Sequence, residues 1–341
     1  MKPLRIILGL LLVLILAGAS MGYYAYDKIK NESCIAEETW IYLHHGDKYA
    51  NLLKDIGMQD DKFFQLLADR YKLEEKVEAG KASGAYRFEP GSTRMTLVRR
   101  LANNQQTPVR ISFLGTRTLP ELAGRMARNI EADSLSLLAA MTDTAFVQNC
   151  GTNLQNIQSL FLPDTYEVYW NVTPERLMAR MKSEWEKFWN DSRRKKAEAL
   201  GITPWEASIL CSIAEEETAD RQERGVVARL YWNRLQKGML LQADPTVKYA
   251  VGDFTLRRIL NEHLSTDSPY NTYVYPGLPP GPIRVVEKAT LDALLDSKPH
   301  NYLFMCAKED FSGHHNFAVT LSEHNRNAAR YHQALNERGI R

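Results

Sequence analysis

The sequence lacks the features that would mark a disulfide-linked, metal-ribbon or disordered protein. Its four cysteines, Cys34, Cys150, Cys211 and Cys306, are too scattered among 341 residues to form a CxxC pair. A zinc ribbon and a dithiol redox motif are therefore excluded, whereas one or two disulfides remain open. Only 19 glycines and 14 prolines accompany 44% hydrophobic residues, which excludes a disordered or collagenous chain. At roughly 150 residues per domain, the length predicts about two folded units.

The chain also lacks an excess of charge of either sign. Lysine and arginine total 43 and aspartate and glutamate total 41, so the formal net charge is +2. Without a strongly basic field, nucleic acid is not expected as a partner. No HExxH motif occurs, and the pairs His44-His45 and His314-His315 lack the spacing of metal ligands. The sequence therefore predicts no metal and no other cofactor.

A long apolar run occupies the N-terminus. Residues 6–26 carry no charge, and a helix of this length spans about 30 Å, the thickness of the hydrocarbon core of a membrane. A cleaved signal peptide is the alternative, because Lys2 and Arg5 form a basic start and residues 17–19 resemble a small-residue cleavage site. We expect a retained single-pass anchor over residues 1–27, with the rest of the chain outside the plasma (inner) membrane, on the periplasmic side where an outer membrane exists.

Short strands interspersed with helices predict an α+β fold without a large parallel sheet. After the anchor, residues 28–108 are predicted to form a juxtamembrane segment and a small α+β module, with strands at residues 40–43 and 84–88. Residues 109–341 are predicted to form a larger α+β unit. Within it, we expect one long charged helix from Pro174 to about Leu200.

The segment with the strongest chemical signal begins at Thr203. Thr203, Pro204 and Glu206 form a capping box before an apolar run, which predicts the start of a helix. At 100° per residue, the apolar side chains cluster on one side of this helix and Glu215 points about 170° away, among small residues. This pattern predicts Glu215 on the non-core face, with room above it for a ligand, and Glu217 toward the apolar side. Three successive glutamates on a helix are, however, more often only solvent-facing.

Seven short motifs follow one another from this helix to the C-terminus. They are residues 212–219 (SIAEEETA), 233–235 (NRL), 238–249 (GMLLQADPTVKY), 270–273 (YNTY), 277–283 (GLPPGPI), 315–317 (HNF) and 323–325 (EHN). In their order and spacing they resemble the endolytic murein transglycosylase family, also called YceG-like. The likeness covers essentially the whole chain after the membrane segment. It departs from the family at residues 158–159, 284–287 and His314, where Glu-Gly, Asn-Pro-Gly and Gly are usual.

The resemblance implies a membrane-anchored enzyme that cuts nascent peptidoglycan within the glycan strand and so terminates strand elongation. It implies a LysM-like module in residues 28–108 and a catalytic domain in residues 109–341, with the catalytic acid at Glu215. Cleavage of the MurNAc-GlcNAc β-1,4 bond needs one carboxylic acid to protonate the leaving oxygen. The C6 hydroxyl of the substrate then attacks and gives a 1,6-anhydro end, while the same carboxylate takes the hydroxyl proton. Peptidoglycan synthases are candidate partners.

Polar and aromatic residues near these motifs are candidate glycan contacts, because amides and hydroxyls suit sugar hydroxyls and tyrosine faces suit pyranose rings. The candidates are Gln242, Asp244, Thr246, Tyr270, Asn271 and Tyr273, with His315 and His324 as residues that orient the substrate or the acid. We expect Gln242, Asp244 and Thr246 on a strand and the turn that follows it. For Asp244 the alternative is a turn that caps the next helix, and for the histidines it is a structural role.

Two other functions remain compatible with the residues alone. A non-catalytic, membrane-tethered peptidoglycan-binding or scaffold protein would bind glycan with its N-terminal module and leave Glu215 as a solvated helix residue. A hydrolytic muramidase would use the same fold and acid, with water as the attacking group. The transglycosylase and the muramidase differ only in their product, which carries an anhydro end or a reducing end.

Overall fold

The computed structural model describes residues 2–256 and 258–339 and divides them into two compact units. The N-terminal unit comprises the chain up to Ile111 together with Asn129–Ala132 and Tyr166–Val172. The C-terminal unit comprises Ser112–Arg128, Asp133–Thr165 and the chain from Thr173 onward. The sheets within the described residues are two-stranded, and helices make up most of the regular structure. This is the predicted α+β class without a large parallel sheet.

The apolar N-terminus forms one long helix, α1 (Lys2–Lys30). Its segment Arg5–Lys30 has a mean hydropathy of 2.4 in its most apolar window and buries none of that window against the rest of the protein. By length and composition this helix fits a membrane span, and an N-terminal signal sequence has the same properties.

The N-terminal unit has its own hydrophobic core. Its further elements are β1 (Thr39–Leu43), α2 (Tyr49–Asp55), α3 (Lys62–Arg70), α4 (Leu73–Glu78), β2 (Gly84–Phe88), α5 (Arg94–Ala102) and most of β3 (Val109–Ser112) and β4 (Thr165–Val168). Strands β1 and β2 pair antiparallel, with Ile41 opposite Tyr86. Phe64, Phe88 and Leu97 are fully buried in the core that includes this pair of strands. Both strands predicted in this part of the chain are therefore confirmed.

The C-terminal unit is mainly helical. Its elements are α6 (Leu119–Met126), α7 (Ser134–Thr142), α8 (Thr144–Asn149), α9 (Pro174–Phe188), α10 (Asp191–Ala199), α11 (Pro204–Glu217), α12 (Arg224–Gln236), α13 (Asp244–Val251), α14 (Asn261–Leu264), α15 (Lys288–Leu295), β5 (Phe304–Ala307), β6 (His315–Ala318) and α16 (Leu321–Glu337). Strands β5 and β6 form an antiparallel hairpin. The prediction of one helix from Pro174 to Leu200 is wrong. The helix breaks because the Asn190 side chain accepts a hydrogen bond from the backbone N of Arg193 and caps α10 anew.

Helix α11 lies at the centre of this unit. It begins with the predicted capping box, in which the Thr203 hydroxyl accepts from the backbone N of Glu206 and the Glu206 carboxylate accepts from that of Thr203. It packs against both α12 and α15. These two helices approach each other closely at Gly225, because a Cβ atom there would lie 2.5 Å from the carbonyl oxygen of Ala293.

The cysteines form no disulfide. Cys34, Cys150, Cys211 and Cys306 are all free thiols. Cys211 lies buried in α11, where its thiol donates to the Thr290 carbonyl at 3.5 Å, and burial raises its pKa. The packing of the two cores therefore holds the fold without a covalent cross-link.

Candidate active site

Glu215 lies where α11 is covered on every side. Its side chain has no exposed surface, and the neighbouring Cys211 and Ser212 are also fully buried. The prediction of a non-core face with room for a ligand is therefore wrong. The face that the helical wheel left free is covered by α15 and by the segment before it, since the backbone N of Ile283 donates to Ser212 Oγ at 3.1 Å.

The Glu215 carboxylate is held by a set of fixed donors. Its Oε1 accepts from the backbone N of Glu287 at 2.9 Å and lies 3.8 Å from Nη1 of Arg224. Its Oε2 lies 3.1 Å from Nε of Arg284. Burial raises the pKa of Glu215, and a hydrogen bond from Thr290 and the charge of Arg284 oppose this rise. Glu215 therefore anchors a buried ion-pair network.

Glu216 belongs to the same network. Arg117 binds its carboxylate through two hydrogen bonds, at 3.1 Å from Nε and 2.8 Å from Nη2. Arg284 adds a third contact through Nη1 at 3.1 Å, so that one guanidinium bridges Glu215 and Glu216. The first two glutamates of the triplet thus each have arginine partners.

Glu217, the last residue of α11, lines a cavity of about 380 Å³. The buried hydroxyl of Tyr231 donates to its Oε1 at 2.8 Å. Burial raises the pKa of Glu217 to about 7, with a smaller contribution from the charge of Asp244, and the Tyr231 hydrogen bond opposes the rise. At neutral pH a carboxyl group with this pKa is protonated in about half of the molecules, so it can both give and take a proton.

A second cavity, of about 400 Å³, lies beside the first. It is lined by residues that include Glu216, Lys248 and Leu256, and it shares Glu217 and Asp244 with the first cavity. Glu217 and Asp244 therefore border open space on two sides. A linear ligand has room to extend in both directions from the Glu217 carboxyl group.

Four of the residues predicted to contact glycan line the first cavity together with Glu217: Gln242, Asp244, Tyr273 and His324. The Tyr273 hydroxyl donates to Asp244 Oδ1 at 2.6 Å. The Nδ1 atom of His324 has no hydrogen-bond partner among the described residues, and its ring stacks on Phe304. These groups leave polar atoms of both kinds on the cavity wall.

Gln242 has an unusual backbone. Its φ is 51°, in the left-handed region, and its Oε1 accepts a hydrogen bond from Arg234 Nη2 at 2.6 Å. The predicted strand at this point is wrong, because residues 238–243 form no strand and lead directly into α13. Asp244 instead opens α13 as its first residue. The strained turn places both side chains at the cavity.

Thr246 and Asn271 lie inside the turns that carry these cavity residues. Both are fully buried. The Thr246 hydroxyl donates to the Ala243 carbonyl at 2.7 Å, and the Asn271 amide donates to the carbonyls of Leu264 and Thr266. Because these polar groups are already satisfied inside the protein, the structure gives both residues a supporting position and not a direct glycan contact.

Tyr270 and His315 are also held by protein neighbours. The Tyr270 ring packs against Tyr249 at 4.7 Å between centroids, and burial raises its pKa to about 12. His315 Nδ1 lies 2.7 Å from Glu223 Oε2. Neither residue lies among those that line the two cavities at Glu217.

The sequence profile of the YceG-like family matches residues 44–330, which is most of the chain. The protein belongs to the YceG-like family. A crystal structure of a YceG-like protein from Listeria monocytogenes has the same fold, with a TM-score of 0.58 and 24% sequence identity over 85% of this chain and 98% of that one.

Two relatives of this YceG-like chain carry the name endolytic murein transglycosylase. The protein from Bacillus subtilis (strain 168) is 26% identical and aligns over 84% of this chain and 82% of its own length. The protein from Streptococcus pneumoniae serotype 2 (strain D39 / NCTC 7466) is 24% identical and aligns over 94% of this chain. The chain spans 63% of the length of the streptococcal relative.

Sequence reasoning missed the position of Glu217, Tyr231 and Arg234 beside the first cavity. A helical wheel treats α11 as an isolated helix and cannot show that α11 ends at Glu217, beside a cavity. Tyr231 and Arg234 lie one turn apart on α12 and face the same cavity. The signal that was available is the family motif at residues 233–235, which contains Arg234.

Proposed function

We propose that this protein is an endolytic lytic transglycosylase of peptidoglycan and that Glu217 is its catalytic acid. The observation that carries the proposal is the position of Glu217 between two cavities, with a pKa raised to about 7. The names of the bacillary and streptococcal relatives support the reaction class. The proposal moves the acid from Glu215, which the family resemblance implied, to Glu217, two residues further along α11 and beside open space.

The chemistry needs one group that first gives a proton and then takes one. The protonated Glu217 donates to the bridging oxygen of the MurNAc-GlcNAc bond as the bond from C1 to that oxygen breaks. The C6 hydroxyl of the same MurNAc attacks C1, and the Glu217 carboxylate takes its proton. No water is consumed, and the products are a 1,6-anhydro-MurNAc end and a GlcNAc end. The Tyr231 hydroxyl stabilises the carboxylate formed in the first step.

The cavities support cleavage within a strand. A glycan chain must continue on both sides of the broken bond, and Glu217 and Asp244 border both cavities. In this proposal Gln242, Asp244 and Tyr273 bind sugar hydroxyls. His324 lines the same cavity.

Glu215 is a poorer candidate for the acid. Its side chain has no exposed surface, so a glycosidic oxygen cannot reach it without opening the helix packing. Its contacts with Arg284, Arg224 and the Glu287 amide oppose the rise in pKa that burial causes, and they hold the carboxyl group in place. We assign Glu215 the positioning of the α11 terminus.

The N-terminal part of the chain completes the proposal. Helix α1 holds the enzyme in the plasma membrane as a single-pass anchor, with the catalytic unit on the outer side. A LysM-like module after the anchor would keep the enzyme on the glycan. Cleavage next to the membrane would release nascent strands from their synthases and so terminate their elongation.

The test compares two matched variants on one helix turn. Polymerised lipid-linked glycan is incubated with the detergent-solubilised full chain, either as wild type or as Glu217→Gln or Glu215→Gln. Mass spectrometry then identifies the chemical ends of the glycan products. We expect anhydro ends from the wild type and a loss of about 10²–10⁴-fold in rate for Glu217→Gln. This variant keeps an acceptor for the Tyr231 hydroxyl. We expect Glu215→Gln to retain most of its activity per folded molecule, since Arg284 and Arg224 keep Glu216 and Glu287 as partners.

Other outcomes identify the alternatives. An active Glu217→Gln with a folded but inactive Glu215→Gln would return the acid to Glu215. Reducing ends from the wild type would indicate a muramidase. Glycan binding without cleavage, with all three proteins folded, would indicate a scaffold protein.

A further inference from the structure

Two carboxylates and an imidazole converge at the turn between α11 and α12. Asp220 and Glu223 lie in this turn, and His314 lies directly before β6. His314 Nδ1 is 2.7 Å from Asp220 Oδ2 and 3.5 Å from Glu223 Oε1. One ligand atom from each residue lies within 4.8 Å of the other two. This cluster, Asp220, Glu223 and His314, is separate from the residues that line the cavities at Glu217.

Further contacts orient the two carboxylates. Asp220 Oδ1 accepts from the backbone N of Gln222 at 2.9 Å, which leaves Oδ2 directed at His314. Glu223 Oε2 is 2.7 Å from Nδ1 of His315, and Oε1 also accepts from the backbone N of His315. Metal ligands in proteins are held in this way by outer hydrogen bonds.

The cluster has more acceptors than protons. If His314 Nδ1 carries a proton, it can donate that proton fully to only one of the two carboxylates; without one, three electron-pair donors face one another. The Oδ2 atom of Asp220 is buried and has no hydrogen-bond partner of good geometry among the described residues. A single divalent cation between the three atoms would satisfy all of them at once.

We propose that Asp220, Glu223 and His314 bind one divalent transition-metal cation, with zinc as the best-suited ion. One imidazole nitrogen and two carboxylate oxygens match the ligands of zinc, whereas calcium and magnesium prefer oxygen alone. The His314 side chain is 47% exposed, so water has access to the remaining coordination position. Local spacing missed this set because more than 90 residues separate His314 from the two acids in the sequence.

The bound ion would join the α11–α12 turn to the β5–β6 hairpin. The proposal is independent of the glycan reaction. Its readouts are metal binding and thermal stability, and they do not require activity.

The experiment measures zinc binding to the detergent-solubilised, chelator-treated full chain by titration calorimetry and thermal unfolding. The variants are His314→Gly and Asp220→Asn. His44→Ala is the matched control, because His44 pairs with one carboxylate, that of Glu131, at 2.7 Å. We expect the wild type and His44→Ala to bind one more zinc ion than the other two variants. At about 100 times the dissociation constant, zinc should raise the midpoint of unfolding by on the order of 5 °C.

The same titration also has outcomes that would contradict the zinc proposal. Equal zinc stoichiometry and affinity in wild type, His314→Gly and Asp220→Asn would overturn the proposal, because the free cysteines or other histidines would then account for the binding. Equal stabilisation by magnesium at the same concentration would also overturn it, since it would indicate a nonspecific charge effect. Loss of the extra ion in His44→Ala alone would place the site elsewhere.

Discussion

Around Glu215 the end of α11 is closed by arginines and by the segment before α15, whereas one half-turn further on, around Glu217, the same helix ends at open cavities. Glu215 has a backbone amide and two guanidinium groups as neighbours. Glu217 has one tyrosine hydroxyl and a nearby carboxylate. Burial raises the pKa of both. The comparison shows that two glutamates of one helix have different partners: guanidinium groups beside Glu215 favour its carboxylate, whereas burial beside a hydroxyl group favours the carboxylic acid form of Glu217.

The largest expected difference between the two surroundings concerns stability. We expect Arg284→Met to lower the free energy of unfolding of the C-terminal unit by about 3–5 kcal/mol, because it leaves the buried Glu215 carboxylate without its nearest cation. Urea denaturation measures this change. The control, Arg180→Met, breaks a partly exposed pair with Glu184 and should cost less than about 1 kcal/mol. Equal losses in the two variants would mean that the Glu215 network carries no special weight.

The second prediction uses the pH dependence of the reaction rate to distinguish Glu217 from Glu215 as the catalytic acid. An acid with a pKa of about 7 must be protonated to act, so the turnover rate should fall as the pH rises through 7. The Tyr231 hydrogen bond lowers the pKa of Glu217. We therefore expect Tyr231→Phe to move the basic limb of the rate profile to higher pH. Tyr275→Phe, which removes an exposed tyrosine bonded to Asp267, should leave the profile in place. A basic limb that stays fixed in Tyr231→Phe would exclude Glu217 as the titrating acid.

The pH dependence of the free energy of unfolding should reveal the raised pKa of Glu217 without any substrate. The pKa of Glu217 is raised by folding from 4.5 to about 7, so the folded state binds this proton more tightly than the unfolded state. The contribution to stability is complete below pH 4.5 and is lost as the pH rises toward 7. The difference in unfolding free energy between the wild type and Glu217→Gln should therefore change within this window and be flat above it. A difference that stays constant from pH 4 to 8 would contradict the raised pKa.

The smallest expected effect comes from Asp244. Its charge raises the pKa of Glu217, so Asp244→Asn should move the basic limb to lower pH, opposite in sign to Tyr231→Phe. The shift should be small because Asp244 is exposed and solvent screens its charge. Rate profiles at low and high salt measure it, and the difference should shrink as salt rises. A shift of the opposite sign would show that the Tyr273 hydrogen bond to Asp244 dominates instead.

Local signals in the sequence predicted much of the fold. The capping box at Thr203, the strands at residues 40–43 and 84–88 and the apolar helix at the N-terminus depend on neighbours within a few residues. The break between α9 and α10 was missed because one capping side chain, Asn190, outweighs the helix propensity of the charged residues on both sides of it.

The surroundings of the site residues could not be predicted from local sequence patterns, because they are formed by segments far apart in the chain. The wheel for α11 placed Glu215 in the open, since it cannot register that residues 283–287 return from far along the chain to cover that face. The cavity residues Gln242, Asp244, Tyr273 and His324 were found through polar motifs. Their buried companions Thr246 and Asn271 share the same motifs, because the turns that present ligand groups need hydrogen-bonded supports of similar chemistry.

Helices α12 and α15 cross so closely at Gly225 that there is no room for a side chain at this position. The buried ion-pair network around Glu215 therefore depends on the glycine. Gly225 follows Arg224, whose Nη1 reaches Glu287 Oε1 at 3.0 Å and approaches Glu215. A methyl group at Gly225 would meet the Ala293 backbone and force the two helices apart, which would draw Arg224 away from both carboxylates. Gly225→Ala should therefore give a protein that folds at low temperature and loses the Arg224 contacts on warming, although Gly225 itself carries no side chain.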